Sequence, residues 1–191
     1  MAERNIHSNQ TLRICFCGIM TAIVFVANYL RIPFMGTSVH MTNALCAIAG
    51  LLFGPGLGFV AAGLGSALYD LTAGYGAECL ITFASKGAIA LVAGLIALGV
   101  AHKPDTGKAD VVRVVIACVA GALTYVALYM LKTFIYQAFV YGYPMNTVWA
   151  TMLSKFIPSI INAGVAIVAA PILYKAMLPA LRQVLNKSEL K

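Results

Sequence analysis

Residues 77–101 read AECLITFASKGAIALVAGLIALGVA, a long apolar run holding one acid, Glu78, and one base, Lys86. About 20 apolar residues in helical conformation cross a bilayer, so this stretch is a membrane helix. Lys86 lies roughly 13 Å from its first residue at about 1.5 Å per residue. An ammonium at such depth costs at least ~2.5–3.5 kcal/mol on insertion scales and is kept for a partner or a function. The fold and the site both follow from extending this observation along the chain.

The whole sequence has the same character: 191 residues, 61% hydrophobic, 10% charged, with a mean hydropathy of +0.89. A soluble domain needs more charge to cover its surface. Apolar runs separated by Gly, Pro or charge predict an all-α integral membrane protein, a six-helix transmembrane bundle forming one domain over residues 1–191. The helices are expected at about 12–30, 40–53, 57–72, 77–101, 111–140 and 147–178, with kinks at Pro158 and Pro171. The second and third are short, and a re-entrant hairpin is the alternative for that pair. The first apolar run follows a polar start without a cleavage-site pattern, which predicts a membrane helix rather than a signal peptide. Such a length leaves no room for a nucleotide-binding domain, so energy for any transport comes from another chain.

The net charge of +7 is scattered over loops and ends without interleaved aromatics, which excludes a nucleic-acid partner and points to a membrane surface. Arg4, Arg13, Lys103, Lys108, Arg113, Lys175, Arg182, Lys187 and Lys191 fall on one side of a six-span topology and Arg31 on the other. The positive-inside rule then places both termini in the cytoplasm. Cys15, Cys17, Cys46, Cys79 and Cys118 lack metal or disulfide spacing and read as small packed residues.

The remaining bases, Lys86, Lys132 and Lys155, fall at one depth, in the outer half of their helices. Each heads a stripe at helical spacing: Glu78, Thr82 and Lys86; Tyr125, Tyr129, Lys132 and Tyr136; Lys155, Ser159 and Asn162. Residues so spaced share a helix face. Ser66 and Asp70 add a fourth strip. The inner halves, 87–99, 116–123 and 163–171, are small and aliphatic, which predicts an outward pocket on an apolar floor and not an ion path. Lysines outnumber the two acids, leaving a cation for an anionic or strongly accepting ligand. A purely structural Lys–Glu78 tie, and a belt of interfacial tyrosines with Trp149, are the alternatives. Gly18 and Ala22 form a small-xxx-small pair that suits close approach of another helix, inside or outside the chain. No HExxH, GxSxG, Walker A or paired-aspartate motif is present, so neither an enzyme, a metal site nor a cofactor is expected.

Between Val39 and Ala97 an ordered set of motifs stands out: Val39-His40-Met41-Thr42-Asn43, Leu51-Leu52-Phe53-Gly54-Pro55, Gly63-Leu64-Gly65-Ser66 through Asp70-Leu71, Thr82-Phe83, Lys86-Gly87 and Ala93-Gly94-Leu95. The set resembles the substrate-binding S components of energy-coupling factor (ECF) vitamin transporters over about a third of the chain. The resemblance implies a multi-pass protein of a prokaryotic plasma membrane that binds a small water-soluble vitamin beneath the loop Arg31–Val39. His40, Asn43, Asp70, Glu78, Thr82, Lys86, Tyr125, Tyr129, Lys132, Lys155, Ser159 and Asn162 are the candidate binding residues. It further implies docking through Gly18 and Ala22, where Gly18 stands for the family's alanine, on a membrane-embedded T subunit coupled to two ATP-binding subunits. Toppling within the lipid would carry the substrate inward. Among vitamins the motifs look closest to the hydroxymethylpyrimidine or pyridoxine branch, with pantothenate and riboflavin as alternatives. Two other classes stay open: a membrane enzyme acting on a phosphorylated lipid, and a ligand-free scaffold.

Overall fold

The structure is a computed structural model and describes residues 10–34, 37–98, 100 and 108–189. Helix α1 (Gln10–Tyr29) leads into a two-stranded antiparallel hairpin, β1 (Arg31–Phe34) and β2 (Thr37–His40). Helix α2 (Thr42–Thr72) follows, then a 3₁₀ turn (Gly76–Glu78), α3 (Cys79–Ile96), α4 (Lys108–Ile135), a π-helical turn (Tyr136–Val140) and α5 (Met145–Glu189). The expected placement of the two termini lies outside the described residues, as do Arg4, Lys103 and Lys191.

Four segments are long and apolar enough to cross a membrane: Thr42–Thr72, Gly76–Ile96, Lys108–Val140 and Met145–Ala180; the apolar part of α1, Ile14–Tyr29, is shorter. The predicted second and third helices are the two limbs of α2, folded back on each other at Gly54: a Cβ on Gly58 would stand 2.6 Å from Gly50 Cα. Gly54 takes φ +81°, ψ 174° inside α2, a conformation open to glycine, and Pro55 then starts the second limb, where its missing N–H costs nothing. The limb before Gly54 rises only about 18 Å at 1.5 Å per residue.

Two further boundaries differ from expectation. The segment after α1 is a β-hairpin and not a loop, in the register Arg31↔His40, Ile32↔Val39, Pro33↔Ser38 and Phe34↔Thr37. His40 therefore ends a strand and does not open a helix. The expected helix 77–101 begins as the short 3₁₀ turn, which leaves Glu78 at the N-terminal edge of α3. Among the described residues the remaining helices lie where expected, but α3 ends at Ile96, a π-helical turn closes the segment expected at 111–140, and α5 runs on to Glu189.

Small residues hold α2 against α3. A Cβ at Gly50 would stand 1.9 Å from the Ala90 carbonyl oxygen, and one at Gly94 2.7 Å from the Pro55 nitrogen. Backbones this close leave no room for a side chain, which is how membrane helices gain contact without a hydrophobic driving force between them. The core beneath is aliphatic and small, including Met20, Val24, Ile48, Ile89, Ala93 and Ala122. Cys46 and Cys118 are buried in it as expected, whereas Cys15 is exposed. Much of the apolar outer surface, such as Leu80, Leu153 and Val168, is exposed, as suits lipid contact.

Candidate substrate-binding site

The hairpin, the C-terminal ends of α1 and α2, the start of α3 and the C-terminal half of α4 meet around a cleft of about 220 Å³. Eight predicted residues line it: His40, Asp70, Glu78, Thr82, Lys86, Tyr125, Tyr129 and Lys132. The four-residue spacing of Glu78, Thr82 and Lys86 turns all three toward this space, and the spacing of Tyr125, Tyr129 and Lys132 does the same from α4.

Lys86 is the deepest charge. Its ammonium donates to Asn43 Oδ1 at 2.5 Å and lies 5.0 Å from the centroid of the Tyr125 ring. Both partners are neutral, so the charge is solvated by dipoles and by a π face. Tyr125 stacks on Tyr129 with centroids 5.7 Å apart and planes 23° from parallel, and its hydroxyl is within reach of the Asn43, Ser159 and Asn162 side chains. The Thr82 hydroxyl faces the Asp70 carboxylate across the cleft. Lys132 pairs with Glu78, which answers which lysine that acid serves.

Asn162 does not line the cleft. Its carbonyl oxygen accepts from His40 N–H at 2.9 Å and its amide donates to the Ser38 carbonyl at 2.8 Å, so α5 clamps β2 as a neighbouring strand would. Asn43 and Ser159 are likewise buried below the cleft, and the Ser159 hydroxyl donates to its own helix at Lys155 O, 2.7 Å. His40 N–H is thus fixed, while its ring atom Nδ1 is buried without a partner among the described residues. Burial, reinforced by the Lys86 ammonium, brings the imidazole down to about 3, so the ring is neutral at pH 7.

Lys155 lines a second chamber of about 200 Å³ with Glu78, Tyr129, Lys132, Thr133, Tyr136, Gln137 and Tyr141. The three lysines therefore converge on two adjoining spaces. Sequence reading missed Asn28, Arg31, Ser38, Tyr69 and Tyr75 as cleft residues. Arg31 stands over the Tyr69 and Tyr75 rings, 5.4 and 6.0 Å from their centroids, and its isolation as the one base of its side was the available signal. Asn28, an amide buried near the C-terminal end of α1, was another.

Gly18 and Ala22 lie far from this cleft, exposed on α1, and nothing comes within 4 Å of a Cβ built on Gly18. The opposite face of α1, with Met20, Val24 and Ala27, is the one packed inside.

Comparison with known proteins agrees with this architecture. Residues 8–178 match the model of a family described as ECF-type riboflavin transporter, S component. A solved structure of the S component of a bacterial ECF transporter superposes with a TM-score of 0.60 at 19% identity, over 90% of this chain and 98% of that one. No curated protein sequence matches. The family matched is a riboflavin one and not the hydroxymethylpyrimidine or pyridoxine branch expected first.

Proposed function

The chain belongs to the ECF-type riboflavin transporter S-component family, and on that premise we propose that its cleft captures riboflavin for import. The observation that carries this reading is Lys86, a buried ammonium held by neutral partners beside the stacked Tyr125 and Tyr129 rings. A flavin ring system is flat and aromatic, with two carbonyl acceptors flanking an N–H donor on its pyrimidine edge. The tyrosine faces suit the rings. Lys86 suits a carbonyl, and Asp70 suits the N–H.

Positive-inside asymmetry supports an orientation with the hairpin and cleft outward and both termini cytoplasmic. The exposed Gly18–Ala22 face of α1 docks on a T subunit, and two ATP-binding subunits hydrolyse ATP; the chain itself is not an enzyme. The structure favours docking over internal packing for that pair, because the small residues face away from the bundle.

Mild detergent purification followed by mass spectrometry of the retained ligand tests the proposal. Riboflavin is the expected species. Pyridoxine, hydroxymethylpyrimidine or pantothenate in its place, or no vitamin after supplementation with riboflavin, overturns it.

A further inference from the structure

The cleft and the second chamber share three lining residues: Glu78, Tyr129 and Lys132. Two of these are the ion pair, so the Glu78–Lys132 contact stands between the spaces as a wall. Sites that bury a small molecule run to about 300–1,000 Å³, and neither space alone reaches that size. Joined, they give roughly 420 Å³, inside that range.

The wall is built to open. Its side chains are 20% (Lys132) and 37% (Glu78) exposed, and pairs in contact with water are loosely held. Glu78 hangs from a one-turn 3₁₀ helix that follows Gly74 at φ +84°, not from the body of a long helix. Beyond the wall the lining changes character. The cleft has Tyr69, Tyr75, Tyr125 and Leu128, whereas the chamber has Thr133, Gln137 and Lys155 together with Tyr136 and Tyr141. Tyr136 and Gln137 lie on the π-helical turn, where Tyr141 N–H reaches Tyr136 O at 2.9 Å and Tyr143 N–H reaches Gln137 O at 3.1 Å. Such turns are uncommon and recur at functional sites.

We infer that the Glu78–Lys132 pair is a removable partition, and that the second chamber receives the hydroxylated chain of the flavin when the pair opens. This rests on the riboflavin reading above. The ring system stays between the tyrosines of the cleft. The chain's hydroxyls replace the ion-pair contact, donating to Glu78 and accepting from Lys132, and reach the amide of Gln137 and the ammonium of Lys155.

Lumiflavin, which carries a methyl group where riboflavin carries its chain, separates the two spaces. Gln137→Leu and Lys155→Met are titrated with both flavins in detergent. Each substitution is expected to weaken riboflavin at least fivefold and lumiflavin less than twofold, the retained lumiflavin binding also showing that the variant is folded. Equal losses for the two flavins, or no loss for either, overturn the partition while leaving riboflavin capture intact. Failure of the unaltered protein to bind either flavin refutes the capture reading instead.

Discussion

Replacing Lys86 by Met removes the buried ammonium and keeps most of its volume. Two losses follow in the empty protein. The Asn43 carbonyl gives up its 2.5 Å hydrogen bond, which costs ~1–3 kcal/mol for a buried group left unsatisfied. The cation over Tyr125 at 5.0 Å contributes about 2 kcal/mol when desolvated. Against these stands the cost of holding an ammonium at membrane depth, at least ~2.5–3.5 kcal/mol, which the substitution relieves. The terms nearly cancel, so unfolding stability should change by no more than about 2 kcal/mol. Binding has no such compensation. A hydrogen bond from the charge to a flavin carbonyl contributes ~1.5–3 kcal/mol, so affinity should fall by roughly 10- to 150-fold at about 1.4 kcal/mol per decade. Thermal unfolding of the empty protein and a riboflavin titration on the same preparation measure both quantities. A loss of affinity below threefold, or a large loss of stability that drags binding with it, refutes the assignment of Lys86 to the ligand.

Glu78→Gln and Lys132→Met, combined in a double-mutant cycle on the empty protein, should show a coupling no larger than about 1 kcal/mol, because a pair this accessible gains little from its charge; a coupling of several kcal/mol means the pair is a structural tie. Gly50→Leu should abolish the folded protein, since its first added atom already meets the Ala90 carbonyl oxygen at 1.9 Å and overpacking a rigid contact costs at least ~1–3 kcal/mol; a monodisperse, riboflavin-binding variant contradicts that packing. Gly18→Trp should leave riboflavin affinity unchanged and abolish uptake in cells that hold the T and ATP-binding subunits; loss of binding as well removes the docking role. His40 makes stability pH-dependent. Its folded value, about 3, lies below the ordinary 6.5, so the unfolded chain binds the extra proton between those values. Stability is full above about pH 6.5 and falls by at most ~1.4 kcal/mol per unit as pH drops toward 3; chemical unfolding of His40→Gln should lack this slope, and an unchanged slope assigns it elsewhere.

The parts legible in the sequence were those set by local periodicity. Apolar run length marked the long helices, and helical spacing put Glu78, Thr82, Lys86, Tyr125, Tyr129 and Lys132 on faces that meet around one cleft. Contacts between distant segments were not legible. Helical spacing put Asn162 and Ser159 in the same strip as Lys155, yet Asn162 spends both polar groups on β2. That use depends on a hairpin of two short strands, whose four-residue runs carry little periodic signal. Gly54-Pro55 marked the break between two helices, and the backbone shows how sharp it is: the second limb turns back until Gly58 meets Gly50. The partner of Glu78 could not be chosen among three lysines at one depth, because depth fixes a layer and not a neighbour.

Riboflavin capture by the lysine–tyrosine cleft can be read directly. Flavin fluorescence is quenched by stacked aromatic rings, so titrating the purified chain into dilute riboflavin reads occupancy next to Tyr125 and Tyr129 directly. Saturable quenching is expected at one flavin per chain with a Kd below ~1 µM, more than about 8 kcal/mol of binding free energy, undisturbed by excess pyridoxine or pantothenate. Absence of quenching at tens of micromolar, or displacement of the flavin by either competitor, contradicts it.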